Sequence, residues 1–470
     1  MDKQFDELVH YVLDYVKNGI LNKPKENLQL RKAYSPTDLQ KIFPIKTQFK
    51  GVSSSEIIKI LEQVISHSVI TDHPFFMNQM FGKTQPISFL ADIIIAMLNT
   101  SMYTYEVAPV FSLIEKEVIS NLGKRVWGKD KGDGVFTAGG SMSNMNALFL
   151  ARQNYLEHAK QKGLFGVKPF SIFVSEQAHY SFTKGVNFLG FGIESLVKIK
   201  SNADATIHID SLNKAIRIEK EKGRHPLMLI GIAGTTISGT YDPLQNLAKI
   251  AKEHKMWFHV DAAYGGALLF SEREKARLKG IENADSVSWN FHKVMGMSLS
   301  TSSFLTKEKG SLNKAFNVDA GYLFHEDGYD FDLGQKSLRG GRRPDAFKLW
   351  LQWKYKGDIG LAKHVEKLRD ASIFLAETVK KTNELELYQE PQSGIVLFRF
   401  LQEGKSVQEL NKLNKNIRET IFKEGKIIFN YSRIHGTVYL RYVILDPEFT
   451  HKQLKHIIEN VVEVGNEILN

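Results

Sequence analysis

Residues 227–235 read LMLIGIAGT, an apolar run of strand length that ends in small residues. The same kind of run occurs as FSIFVSE at 170–176, WFHVDAA at 257–263 and SVSWN at 286–290. Each is rich in branched or aromatic residues, and the runs are bounded by Gly, Ser, Thr or Asp. Between Asn99 and Gly310 they alternate with helical stretches such as MSNMNALFLARQNYLEHAKQKG at 142–163. Strand–helix alternation predicts an α/β fold, a mainly parallel sheet covered by helices. In such sheets ligands sit beyond the carboxyl ends of the strands.

The ends of the chain read differently. Residues 1 to about 65 look helical, with a polar interruption around Pro24 to Pro36; Phe5, Leu8, Val12 and Val16 give the first helix an apolar stripe. Tyr322 to Arg343 is rich in Gly, Asp and Arg and reads as a loop. FKLWLQWKYKG (347–357) and EKLRDASIFLAETVKK (366–381) read as helices, GIVLFRF (394–400) and GTVYLRYVIL (436–445) as strands, and HKQLKHIIENVVEVGNEI (451–468) as a last helix. The expected organisation is an N-terminal helical segment (1–90), a large α/β domain (91–350) and a small α+β domain (351–470).

Composition narrows the function. The 470 residues are 43% hydrophobic and 24% charged, ordinary for a globular chain. No cysteine is present, which excludes disulfides, thiolate zinc, iron–sulfur clusters and a cysteine nucleophile. The formal charge is +10, but the basic residues are scattered and often sit beside acids, as in RIEKEKGR at 217–224. No basic stripe interleaved with aromatics marks a nucleic-acid surface, so no nucleic-acid partner is expected. The N-terminus carries acids early, unlike a signal peptide. The most apolar run, FLADIIIAML at 89–98, is far short of the roughly 20 residues a membrane span needs. No membrane role and a cytoplasmic location are expected.

Four features fall where an α/β sheet would place a site. GDGVFTAGGSMSNMNAL (132–148) sets Gly139, Gly140 and Ser141 at the start of a helix, where free amides suit a phosphate, although Gly-Gly-Ser is often only a cap. WFHVDAAYGG puts Asp261 at a strand end, as a turn former or as the partner of a buried cationic ring nitrogen. SVSWNFHKVMG places Lys293 after a strand, beside His292 and near Asn290; a half-buried lysine readily loses its charge and can form a Schiff base. SEQAHYS puts His179 at another strand end, as a core histidine or a catalyst. No ligand spacing suggests a metal.

Taken together, these segments resemble the group II pyridoxal-phosphate decarboxylases, in particular glutamate and cysteine sulfinate decarboxylases. The resemblance also takes in HPFFMNQMF (73–81), NTSMYTYEVAPVF (99–111), AGTTISGTYDPL (233–244), GYLFHEDGYDFDLGQKSLRGGRRPDAFKLWLQWK (321–354) and YLRYVI (439–444). It implies a type I, aspartate aminotransferase-like fold with pyridoxal 5′-phosphate as cofactor. It also implies a homodimer with the active site at the subunit interface and α-decarboxylation of an acidic L-amino acid. By the same resemblance Lys293 is the Schiff-base lysine, His179 stacks on the pyridine ring and Asp261 pairs the ring nitrogen. Gly140, Ser141, Asn290 and His292 serve the phosphate, and Thr235 lies near the ring. Tyr329 is the loop tyrosine that returns a proton to the substrate carbon. Arg441 meets a substrate carboxylate, with Gln79 and Phe81 in the same pocket.

Departures from the family pattern are specific. The usual Asn-Pro-His-Lys is here Asn290-Phe291-His292-Lys293, which puts the backbone geometry before the lysine in question. Tyr264 stands where tryptophan is common, and Gly340 where a residue able to reach phosphate is usual, which predicts weaker cofactor retention. Phe81 matches a position that is small and polar in glutamate decarboxylases and aromatic in cysteine sulfinate decarboxylases. It therefore favours cysteine sulfinate or aspartate over glutamate. Diaminobutyrate or aromatic amino acids are alternative substrates, and decarboxylation-dependent oxidative deamination an alternative outcome. The presence of Tyr329 favours simple decarboxylation.

Overall fold

The alternation builds a seven-stranded sheet. Its strands are β1 (Asp133–Thr137), β2 (Phe170–Ser175), β3 (Leu196–Ile199), β4 (His225–Ile232), β5 (Trp257–Asp261), β6 (Ser286–Asn290) and β7 (Ser302–Thr306), in the order β1-β7-β6-β5-β4-β2-β3. The computed structural model describes residues 3–21, 29–32, 34–129, 131–318 and 331–470. Pairings β3–β2–β4–β5–β6 are parallel, and β7 runs antiparallel between β6 and β1. The four runs expected as strands are β2, β4, β5 and β6. Almost every residue in them is buried, because a parallel sheet is covered on both faces.

The helix Gly140–Tyr155 supplies much of that cover. Its Ala147, Leu148 and Ala151 share a core with Val135, Ile172, Val174 and Phe304. Each fully buried Leu, Ile, Val or Phe contributes roughly 1.5–3 kcal/mol. Rigid strand ends result, and the turns that follow β1, β2, β4, β5 and β6 inherit their precision.

The chain divides into two compact units. One comprises residues 84–377 and 387–397 and carries the seven-stranded sheet. The other comprises 1–83, 378–386 and 398–470. The boundary expected at 350/351 falls within the helical run Ala346–Lys380, which breaks once, at Gly357 (φ +61°), between the two helices read from the sequence.

A four-stranded sheet has the order β10-β11-β9-β8, from β8 (Leu385–Leu387), β9 (Ile395–Phe400), β10 (Asn430–Ile434) and β11 (Thr437–Val443). In the unit that holds both chain ends, the helices Ser54–His67, Val407–Glu424 and His451–Leu469 each start with a complete capping box, at Ser53/Glu56, Ser406/Glu409 and Thr450/Gln453. The segment Phe75–Met77 is laced into this unit: Met77 N donates to Ile428 O at 2.8 Å, and Val443 N donates to Met77 O at 3.0 Å. The first helix, Lys3–Leu21, keeps Leu8 and Val16 half-buried but exposes Phe5 and Val12, so its apolar stripe is only partly used. Among the described residues no helix is long and apolar enough to cross a membrane.

Candidate active site

Turns at the carboxyl ends of β1, β2, β4, β5 and β6 converge on a cavity of about 270 Å³. Gly140, Ser141, His179, Asp261, Asn290, His292 and Lys293, all singled out from the sequence, line it. No metal-ligand set of three or more His, Cys, Asp or Glu side chains exists among the described residues.

The glycine turn is shaped by close approach. Gly139 has φ +131°, which side-chain-bearing residues rarely adopt, and a Cβ on Gly140 would lie 2.8 Å from Asn290 Nδ2. No side chain caps the start of the helix Gly140–Tyr155; Met142 N and Ser143 N donate to Gly139 O, and the Gly140 and Ser141 residues ahead of them line the cavity. Asn290 is buried, and its Oδ1 has no hydrogen-bond partner. A buried amide atom left unsatisfied beside helix-start N–H groups is what a polar ligand would complete.

Asp261 sits on the last residue of β5. Its Oδ2 accepts from Asn144 Nδ2 at 2.8 Å and its Oδ1 from Ala263 N at 3.1 Å. His179 Nδ1 accepts from Ser181 N at 3.2 Å. Burial, more than any charge, lowers the pKa of His179; Lys293 and Lys184 push the same way and Asp261 opposes. A neutral imidazole results, suited to stacking on an aromatic ring. His292 Nδ1 lies 3.0 Å from Thr301 O and 3.1 Å from Thr301 N, and burial, with Lys293 next, drives its pKa down to about 4.

Phe291, the departure in the lysine turn, is completely buried. Its ring centroid is 5.9 Å from that of Phe136 and 5.1 Å from that of Trp289. Its N–H donates to Thr301 O at 2.8 Å, a bond that proline could not make. The turn is thus fixed by a hydrogen bond and ring packing instead of a pyrrolidine.

Thr236, not Thr235, lines the cavity. Thr235 is fully buried, with its hydroxyl 2.8 Å from Ser238 Oγ and accepting from Thr240 N at 3.2 Å. Its side chain closes the turn after β4. Asn144 was also not anticipated. It follows Gly140 by one helical turn and so shares its face, a spacing that could have revealed it. Tyr329 lies outside the described residues.

The remaining candidates belong to the other unit. Arg441, on β11 and buried, donates through its guanidinium to Asn78 O at 3.0 Å, which brings it beside exposed Gln79. Phe81 is half-buried and its ring packs 5.8 Å from that of Phe76.

With this geometry in hand, the match to known proteins is specific. Residues 36–401 match the model of the pyridoxal-dependent decarboxylase conserved domain. The chain belongs to this family. It is 36% identical over 447 residues to cysteine sulfinic acid decarboxylase of Mus musculus, covering 92% of this chain and 90% of that one. It is 34% identical over 446 residues to the acidic amino acid decarboxylase GADL1 of Bos taurus, covering 92% and 85%. The crystal structure of mouse CSAD in apo form superposes with a TM-score of 0.93 at 33% identity, covering 98% of this chain and 99% of that one. The chain is therefore a pyridoxal-phosphate-dependent carboxy-lyase of type I fold.

The cavity fits that cofactor. Gly140 leaves room that any Cβ would fill, Asn290 offers an unsatisfied amide atom, Asp261 a carboxylate and Lys293 an amine. When bound, pyridoxal phosphate supplies an electron sink for the carbon that loses CO₂.

Proposed function

We propose that this enzyme removes the α-carboxylate of an acidic L-amino acid, with preference for cysteine sulfinate or aspartate over glutamate, and releases the amine and CO₂. The observation that carries the reading is the convergence of Lys293, Asp261, His179 and Asn290 on one cavity, in a chain whose relatives carry the names cysteine sulfinic acid decarboxylase and acidic amino acid decarboxylase. In this reading Lys293 provides the amine that carries the cofactor. Asp261 holds a proton on the ring nitrogen, and neutral His179 lies on the ring. Gly140, Ser141, Asn290 and His292 hold the phosphate. Tyr329 delivers a proton from its phenol oxygen to the substrate carbon that has lost CO₂.

Arg441 is proposed for the acidic side chain of the substrate, since a guanidinium fork suits a carboxylate or sulfinate. Gln79 and Phe81 are proposed to shape the same subsite. The proposal includes a homodimer and a cytoplasmic location. Ile94, Met97, Leu98, Val110 and Leu113, on the helices Pro86–Leu98 and Pro109–Trp127, stay exposed and support pairing with a second copy. The test is CO₂ release from cysteine sulfinate, aspartate, glutamate, diaminobutyrate and aromatic amino acids, with amine and aldehyde products distinguished. Turnover confined to neutral or basic substrates, or aldehyde as the main product, refutes the reading.

A further inference from the structure

Asn144 is almost completely buried, and its amide is fully committed. Nδ2 donates to Asp261 Oδ2 at 2.8 Å and to Ser181 Oγ at 3.0 Å. Oδ1 accepts from Ser288 Oγ at 2.8 Å and faces His259 Nε2 at 3.3 Å. Behind it, His259 Nδ1 lies 2.9 Å from Ser286 Oγ, which accepts from Trp257 Nε1 at 2.8 Å.

The Asp261 carboxylate fixes the direction of the Asn144 amide. A carboxylate oxygen accepts, so Nδ2 faces Asp261 and Ser181, and Oδ1 faces the Ser288 hydroxyl that donates to it. His259 closes this pair from behind, with Nε2 3.3 Å from Ser288 Oγ and Nδ1 3.1 Å from Ser286 O. Ser181 in turn gives its backbone N–H to His179 Nδ1 at 3.2 Å. His259 is fully buried, and burial pushes its pKa down to about 4, so the relay is neutral at physiological pH.

One amide thus ties together two groups that reach the cavity from different strands, Asp261 after β5 and His179 after β2. We propose that Asn144, oriented by Ser288 and backed by His259, is a positioning residue that fixes the Asp261 carboxylate and the turn carrying His179 as one rigid array. This rests on the roles proposed above for Asp261 and His179. Without Asn144, Ala263 N is the only other hydrogen bond described to the carboxylate. Groups that orient metal ligands from behind are commonly worth ten- to about a hundredfold, and an effect of the same order is expected for a group that orients a catalytic carboxylate.

The experiment uses the full-length enzyme and four variants: Asn144→Leu, His259→Leu, His259→Gln and Asp261→Asn. It measures kcat, KM, the visible absorption of the bound cofactor and its dissociation constant, with apoprotein melting as the folding control. The expected result is a roughly ten- to hundredfold lower kcat for Asn144→Leu with little change in substrate KM, together with a shifted absorption band and weaker cofactor binding. His259→Leu should show the same pattern more weakly. His259→Gln, which keeps a polar amide against Asn144 Oδ1 and Ser288 Oγ, should recover much of the loss. If Asn144→Leu does not fold, the comparison of His259→Leu with His259→Gln decides. Folded Asn144→Leu or His259→Leu enzyme with wild-type kcat, spectrum and cofactor affinity overturns the proposal while Asp261→Asn is impaired. If Asp261→Asn also keeps wild-type rate and spectrum, the role of Asp261 itself has failed and the proposal falls with it. Equal loss in His259→Leu and His259→Gln also overturns it, because only bulk would then matter.

Discussion

The ring of Phe291 lies nearly parallel to that of Phe136, 22° from coplanar with centroids 5.9 Å apart. This packing, with the Phe291 N–H bond to Thr301 O, anchors the two-residue lead into Lys293. Removing a buried phenyl ring costs about 3–5 kcal/mol. Phe291→Ala should therefore lower the urea midpoint and loosen cofactor binding together. Phe291→Pro should be no better, since it loses both the ring and the donor. A Phe291→Ala enzyme with unchanged midpoint and cofactor affinity would show that the turn is held by other contacts.

Lys293→Ala should abolish turnover and the visible absorption that borohydride bleaches in the wild-type enzyme. Among the described residues no other lysine lines the cavity. Steady turnover by the variant without added amine would sink the assignment.

How far this was legible in advance depended on where each residue's partners lie. The buried parallel strands β2, β4, β5 and β6 announce themselves, because burial on both faces demands continuous apolar residues. The edge-ward β7, SSFLT, was missed: its buried Ser302, Ser303 and Thr306 break the apolar pattern. The order of Gly140, His179, Asp261 and Lys293 along the chain was enough to place them in one site, because the sheet delivers successive strand ends to one edge. Side-chain direction inside a turn is not encoded that way. Thr235 and Thr236 are adjacent and identical, and only the tight turn through Gly239 (φ +70°) sends the first inward. Asn144 hid for another reason: a polar residue in a helix signals nothing until His259 and Asp261, far along the chain, are brought against it.

Two buried histidines give acid lability a definite sign. Burial takes His259 and His292 from an ordinary value of 6.5 down to about 4. Their folded pKa values are depressed, so stability is full above about pH 6.5. It falls as the pH drops toward 4, where the unfolded chain binds protons that the fold refuses. Each group costs up to about 3 kcal/mol by the lower end. Asp242, which burial pushes up to about 7, has the opposite sign over the same range. The readout is therefore the difference in melting temperature between wild type and His259→Gln across pH 7.5 to 4.5, which should shrink or reverse on acidification. A difference independent of pH would show that His259 does not titrate in this window.

Arg441→Met should raise KM for acidic substrates far more than for neutral ones, because the substrate's second acid would lose its partner. Its backbone bond to Asn78 O, which orients the segment carrying Gln79, would be lost for all substrates alike. An equal rise in KM across both classes would assign Arg441 to that structural bond alone.

The choice among acids is expected to turn on Phe81. The family resemblance gives this position a ring in cysteine sulfinate decarboxylases and a small polar residue in glutamate decarboxylases. Here the ring is half-buried and leans on Phe76, so its position is fixed from one side. A ring in that place fills volume that the extra methylene of glutamate would need. One methylene is worth about 1–3 kcal/mol, or roughly 10–200-fold in kcat/KM, enough to set a preference but not an absolute one. Phe81→Ser should move the ratio of kcat/KM for glutamate against cysteine sulfinate and aspartate toward glutamate by about tenfold or more. The packing on Phe76 makes a purely structural role the competing account, and that account predicts a common loss for all three substrates. An unmoved ratio in Phe81→Ser, or a wild-type enzyme that already prefers glutamate, would locate the selectivity elsewhere.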